Sequence, residues 1–177
     1  MPITSVKDTN AIHLGLGTLG LAAYPQGSPP GSFADVGYIK KMDLTYNREL
    51  KDFESAGILV VRLAFRDTLK ANADWAEVSM KNLNTCIPQP NQPQGQGYAG
   101  STITFGGSRT INRFALRFES TRADSKVITF DMFKCTPTGE FKFAFAEADF
   151  ITYPVEFGAE VDNTKPTGSQ YGRISIA

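Results

Sequence analysis

Gly15, Gly17 and Gly20 have the spacing of a dinucleotide-binding loop, in which glycines permit a tight turn and a pyrophosphate rests on a helix N-terminus. The helix that such a loop needs has no room here. Pro25 follows five residues after Gly20, and Gly27, Pro29, Pro30 and Gly31 prolong the break. His13 is the only histidine, so no metal site with two histidine ligands can form within one chain. A Cys–His nucleophile pair would have to draw on the same Gly-rich segment. Cys86 and Cys135 lack Cys-x-x-Cys spacing and sit beside Ile87 and Phe133, which predicts reduced, inert, partly buried thiols. Glu147 with Asp149, or Glu156 with Glu160, could in principle work as an acid–base pair. Residues two or four apart share a strand face by geometry alone, so these spacings arise in any polar sheet face. The sequence therefore predicts no catalytic, cofactor-binding or metal-ligating residues, and no enzyme.

Charge narrows the field further. Eighteen basic residues balance eighteen acidic ones, which removes a global electrostatic case for nucleic-acid binding. Two local biases remain. Arg109, Arg113, Arg117, Arg122 and Lys126 face only Glu119 and Asp124 in their stretch, whereas Glu140, Glu147, Asp149, Glu156, Glu160 and Asp162 are opposed by Lys142 alone. Arginines among phenylalanines can make a stacking platform for single strands, but Phe114, Leu116 and Phe118 fall on the strand face that a core needs. Oppositely charged faces on one chain also fit a head-to-side contact between subunits.

These residues must be positioned by a β fold. With 177 residues, 41% of them hydrophobic and 13 Phe, the chain has material for one real core. Its longest aliphatic run, residues 58–61, is far shorter than the roughly 20 residues of a membrane-spanning helix. Lys7 and Asp8 cancel, and His13 and several glycines interrupt the apolar residues 11–23, so no secretory signal is expected. Residues 1–35 read as an extended N-terminal arm or loop. Met42, Leu44 and Tyr46 then alternate with polar residues, as do Leu59, Val61, Leu63 and Phe65 further on, which predicts two long half-buried strands joined by a charged projecting loop over 48–57. Ser79 is placed to cap a short helix running to Cys86 and stopped before Pro88. Further strands are expected over 102–105, 111–119, 127–135, 141–145 and 151–161, with Pro154 at an edge or bulge. The fold class is mainly β: an antiparallel sandwich or barrel with one short flanking helix, spanning residues 36–162 and followed by a loop-like tail over 163–177.

One stretch is more distinctive than the rest. Val36-Gly37-Tyr38-Ile39, the run from Tyr46 to Ser55 with its Arg-Glu-x-Lys-x-Phe-Glu-Ser pattern, and Ile58 to Leu63 resemble the major tail tube protein of long-tailed bacteriophages. Trp75-Ala76-Glu77-Val78-Ser79, Asn82-Leu83 and the segment from Pro154 to Asp162 extend the resemblance over residues 33–162. It implies a virion structural protein, made in the host cytoplasm, in which six copies close into a hexameric ring and rings stack into a tube. Its partners would be itself, the tail initiator, terminator and tape measure, and phage DNA passing through the lumen without specific binding; no membrane and no cofactor are implied. In such a family the loop between the paired long strands touches neighbouring subunits. Here that means Arg48, Glu49, Leu50, Lys51, Asp52, Phe53 and Glu54, which offer both charge signs and an apolar anchor. Glu156, Glu160 and Asp162 are the candidates for acidic groups facing the lumen. The alternatives are a tube-end or baseplate ring protein, and a monomeric β-sandwich module binding carbohydrate or protein through Trp75, Tyr98 or Tyr153.

Overall fold

The computed structural model describes residues 17–24, 32–87, 89, 97–106, 111–142 and 152–177. His13, Gly15, Arg109, Glu147 and Asp149 lie outside them. Among the described residues the chain is mainly β, with β1 (Thr18–Ala23), β2 (Ala34–Asp35), β3 (Ile39–Ser55), β4 (Ile58–Trp75), α1 (Met80–Cys86), β5 (Phe114–Thr121), β6 (Val127–Thr138), β7 (Tyr153–Ala159) and β8 (Gly172–Ile176). The strands form one antiparallel sheet in the order β2-β1-β5-β6-β7-β4-β3, and β8 pairs with β6 beyond the end of β7. Its two outermost strands, β2 and β3, are four residues apart in sequence, from Asp35 to Ile39. Four residues span at most about 14 Å, so the sheet curls until its ends nearly meet, as a barrel does.

Curling lets one sheet face bury itself. Leu19 and Leu21 from β1, Trp75 from β4, Phe114 and Leu116 from β5, Met132 from β6, and Tyr153 and Phe157 from β7 are all but inaccessible and form a single core. The Trp75 ring meets Tyr153 edge-on at 5.7 Å between centroids. Helix α1 is a single short piece whose N-cap is Ser79: its hydroxyl accepts from the Asn82 amide at 3.2 Å. Asn82 is buried and donates to the Val36 carbonyl at 2.8 Å, which ties the helix to the crossing between the sheet's two ends.

Several expectations are corrected. Residues 18–23 are not loop but a strand inside the sheet, paired on both edges with β2 and β5. Gly17 and Gly20 serve close approach: a Cβ on Gly17 (φ +143°) would stand 2.1 Å from the Glu119 carbonyl oxygen, and one on Gly20 would stand 2.9 Å from the Phe33 Cβ. Strand, not helix, follows these glycines. Residues 102–105 form no strand, because the Gln89 side chain takes a neighbouring strand's place, accepting from the Thr104 amide and donating to its carbonyl, both at 3.0 Å. The tail returns to the sheet as β8. Phe141 and Lys142 are not in a strand, and residues 143–145 lie outside the described set.

Candidate assembly surface

The long strands β3 and β4 pair with each other along their whole length, and residues 48–54, read as loop from sequence, are strand. The connection is only Ala56 and Gly57, both at positive φ (53° and 78°), the conformation of a two-residue hairpin turn. β7 accompanies β4 only from Trp75 to Lys70. Past Lys70 the hairpin leaves the sheet as a two-stranded ribbon of about 36 Å, taking residues 58–69 as extended strand.

Two bulges decide what each face of this ribbon carries. β3 is regular from Lys41 to Ser55, so its even-numbered residues continue the face on which Met42 packs against the core, and its odd-numbered residues take the other. In β4 the register shifts at Phe65 and again at Val60, each adding one residue. Leu69 and Asp67 therefore stand opposite Tyr46 and Arg48 on the core-side face, but Leu63 and Val61 stand opposite Lys51 and Phe53 on the reverse face. Sequence alternation alone puts Leu59, Val61, Leu63 and Phe65 on a single inward face; the bulges divide them and transfer most of that row outward. The signal for this lay in the unbroken apolar runs of residues 58–61 and 63–65, which do not fit strict alternation.

The core-side face of the ribbon is ionic. Arg48 makes two bonds to Asp67, at 2.8 and 2.9 Å, and Arg62 makes two to Asp52, at 2.6 and 2.7 Å. These paired hydrogen bonds hold both aspartates below the ordinary carboxylate range and raise both guanidiniums. All four groups are solvated, so they set geometry more than stability. On the reverse face the Lys51 ammonium lies over the Phe53 and Phe65 rings at 5.8 and 5.7 Å. Glu49 and Glu54 take part in no ion pair among the described residues. Ile58, Val60 and Phe65 are 69%, 66% and 70% exposed, and Leu50, Phe53, Leu59, Val61 and Leu63 are exposed as well. Leu50 and Leu59 stand on the core-side face, but Phe53, Ile58, Val61, Leu63 and Phe65 share the reverse face, and so many exposed apolar side chains on a two-stranded ribbon mark a surface meant to be covered.

The predicted acidic wall is not a single anionic patch. Glu156 accepts from Thr138 at 2.8 Å and from Lys70 at 3.0 Å, and these bonds lower its pKa. Glu160 is pushed up by burial, but Lys134 and Arg113 at 2.9 and 3.0 Å outweigh that and bring it down. Asp162 is a correction, for it is only 3% exposed, its carboxylate accepting from the Thr164 amide and hydroxyl at 3.0 and 2.7 Å. Against the burial that would raise it, those bonds keep it ionised. The basic row is compensated too: Arg117 and Arg173 both reach the buried Asp131, at 2.7 and 2.9 Å, tying β5, β6 and β8 together.

Other candidates fall away. Trp75 and Tyr153 are fully buried and Tyr98 is 6% exposed, so none can stack on a carbohydrate. Cys86 and Cys135 are free thiols; burial pushes Cys86 up to about 12 and Cys135 higher still, leaving both unreactive near neutrality. Among the described residues no group of His, Cys, Asp and Glu is placed to hold a metal ion, and no helix is long and apolar enough to cross a membrane.

No protein-family model matches the chain, and no curated protein matches it in sequence. In three dimensions it is similar to a chain of the anti-feeding prophage baseplate, determined by cryo-electron microscopy with 6-fold symmetrisation. The two superpose with a TM-score of 0.50 at 11% sequence identity, covering 100% of this chain and 97% of that one. At that identity the likeness is one of fold.

Proposed function

We propose that this chain is a non-catalytic structural subunit of a phage-type tail, forming hexameric rings that stack into a tube for the passage of DNA. One observation carries the reading: an apolar hairpin that the chain's own fold leaves uncovered. A monomer gains nothing from eight large apolar side chains on a two-stranded ribbon, whereas a ring subunit buries them against its neighbour and caps its open strand edges at the same time. Arg48, Glu49, Leu50, Lys51, Asp52, Phe53 and Glu54 are then subunit contacts, with Phe53 as an apolar anchor. The shared fold with a chain from a 6-fold symmetrised baseplate supports the same class of role. Glu156 and Glu160 remain candidates for the lumen; already paired with cations, they offer passing DNA a wall with little free charge of either sign.

Negative-stain electron microscopy of the purified protein across a concentration series tests this. Annular particles or hollow tubes are the expected result; a protein that stays monomeric by light scattering at every concentration removes the reading. That the fold match is to a baseplate chain favours a second reading, a ring at the tube's end. Copy number in the particle separates the two, a single ring's worth against many.

A further inference from the structure

β7 stops accompanying β4 at Lys70, and further along the same edge of β6 its place is taken by β8, which does not pair with β4. A cleft of about 670 Å³ opens between the root of the hairpin and residues 167–174. Its floor includes Leu69 and Phe130, its walls include Leu44, Tyr46 and Ile174, and Arg173 stands at its rim. Leu69 and Phe130 belong to the core, so the floor of the cleft is an apolar opening onto the barrel interior, while the paired Arg48 and Asp67 give one side of it a polar lining.

We propose that the apolar tip of one copy's hairpin seats in this cleft of the next copy, a head-to-tail contact in which every subunit gives a tip and receives one. The inference rests on the tail-subunit reading and adds to it the receiving surface. The occupant is a second copy because a hairpin tip cannot reach the cleft at its own root, about 36 Å of extended strand away. The surfaces also match in kind. Phe53, Val61 and Leu63 meet an apolar floor, and Glu54, in no ion pair among the described residues, approaches the 61% exposed Arg173 at the rim. Because tip and cleft are different surfaces, the contact is heterologous, and repetition closes a ring or continues as a helix rather than stopping at a dimer.

Cysteine pairing tests the contact, since Cys135 is buried, Cys86 is partly buried, and burial raises the pKa of both thiols well above neutrality. Val61→Cys and Ile174→Cys alter exposed side chains and leave the core intact; Leu63→Cys with Gln170→Cys is the second pair, should either variant fold poorly. On mild oxidation an equimolar mixture of V61C and I174C is expected to give a reducible dimer at least tenfold more abundant than either variant alone, and the V61C/I174C double variant a ladder of higher species. A dimer as abundant from V61C alone means that tips meet tips and overturns the proposal. Rings on micrographs of the double variant with no cross-link from either pair also overturn it, while leaving the tail-subunit reading standing. Absence of both rings and cross-links at all concentrations overturns the two together.

Discussion

Ala71, Ala73 and Trp75 in the lower half of β4 are buried, whereas Leu59, Val61, Leu63 and Phe65 in its upper half, at the same two-residue spacing, are 41–70% exposed. Both halves pair with β3 and both are rich in apolar side chains. What separates them is what lies beside and across. The root has β7 on its free edge and a curled sheet over its inner face; the tip has neither, and two bulges rotate its apolar row away from the barrel. Hydrophobic alternation thus records that a face is to be covered, without saying which molecule covers it.

The strongest way to break this comparison is to truncate matched side chains in dilute protein and follow urea unfolding. Trp75→Ala should cost about 3–5 kcal/mol, the range for removing a buried aromatic, and Leu63→Ala no more than about 0.5 kcal/mol, as for an uncovered side chain. Equal costs would mean that the tip is buried in the monomer after all. Acid offers a subtler contrast. Hydrogen bonds from Arg62 and Arg48 depress Asp52 and Asp67 below their unfolded value of 3.8, so their contribution is complete above that pH and is lost as pH falls through the lower folded values. Amide hydrogen exchange, corrected for its intrinsic pH dependence, should show the tip equally protected at pH 7 and pH 5 and opening before the root once pH drops below 3.8. The smallest effect lies in the turn. Ala56 holds φ 53°, where a Cβ is strained, and Asn-Gly is the favoured pair for such a turn. Ala56→Asn should slow exchange at the tip by up to about fivefold, equivalent to about 1 kcal/mol, and leave the amides around Trp75 unchanged.

Much of the fold was legible in the sequence where local chemistry and tertiary packing agree. Ser79 caps α1, and Phe114, Leu116 and Phe118 turn to the core with Arg113 and Arg117 on the other side, as the spacing indicates. Elsewhere one physical term concealed another. Thr18–Ala23 looked like loop because glycines break propensity, yet Gly17 leaves room for the Glu119 backbone and Gly20 for the Phe33 side chain. Residues 48–54 looked like loop because they are charged, but Arg48 and Asp52 are cross-strand partners of Asp67 and Arg62, residues that a linear reading did not connect to them. Asp162 looked like part of a solvated acidic face because the run of acidic residues outweighed the local turn signal of Asp162-Asn163-Thr164, in which the carboxylate accepts from the chain two residues on. The bulges left only a faint trace: the unbroken apolar runs 58–61 and 63–65 break strict alternation, but they do not say that Val60 and Phe65 are the extra residues that reverse a face.

The place of β8 in the sheet has a consequence for the order in which the protein is made. A ribosome completes β6 at Thr138 and reaches Gly172 only 34 residues later, about 2–7 s at ordinary elongation rates, so the edge of β6 that β8 covers waits bare through that interval. The hairpin, by contrast, closes through a two-residue turn and can zip within microseconds of emerging. Each nascent chain therefore displays its most adhesive part early and seals its sheet late. On a polysome, where many such chains stand close together, that sequence of events makes premature sticking between neighbouring chains the characteristic hazard of its synthesis.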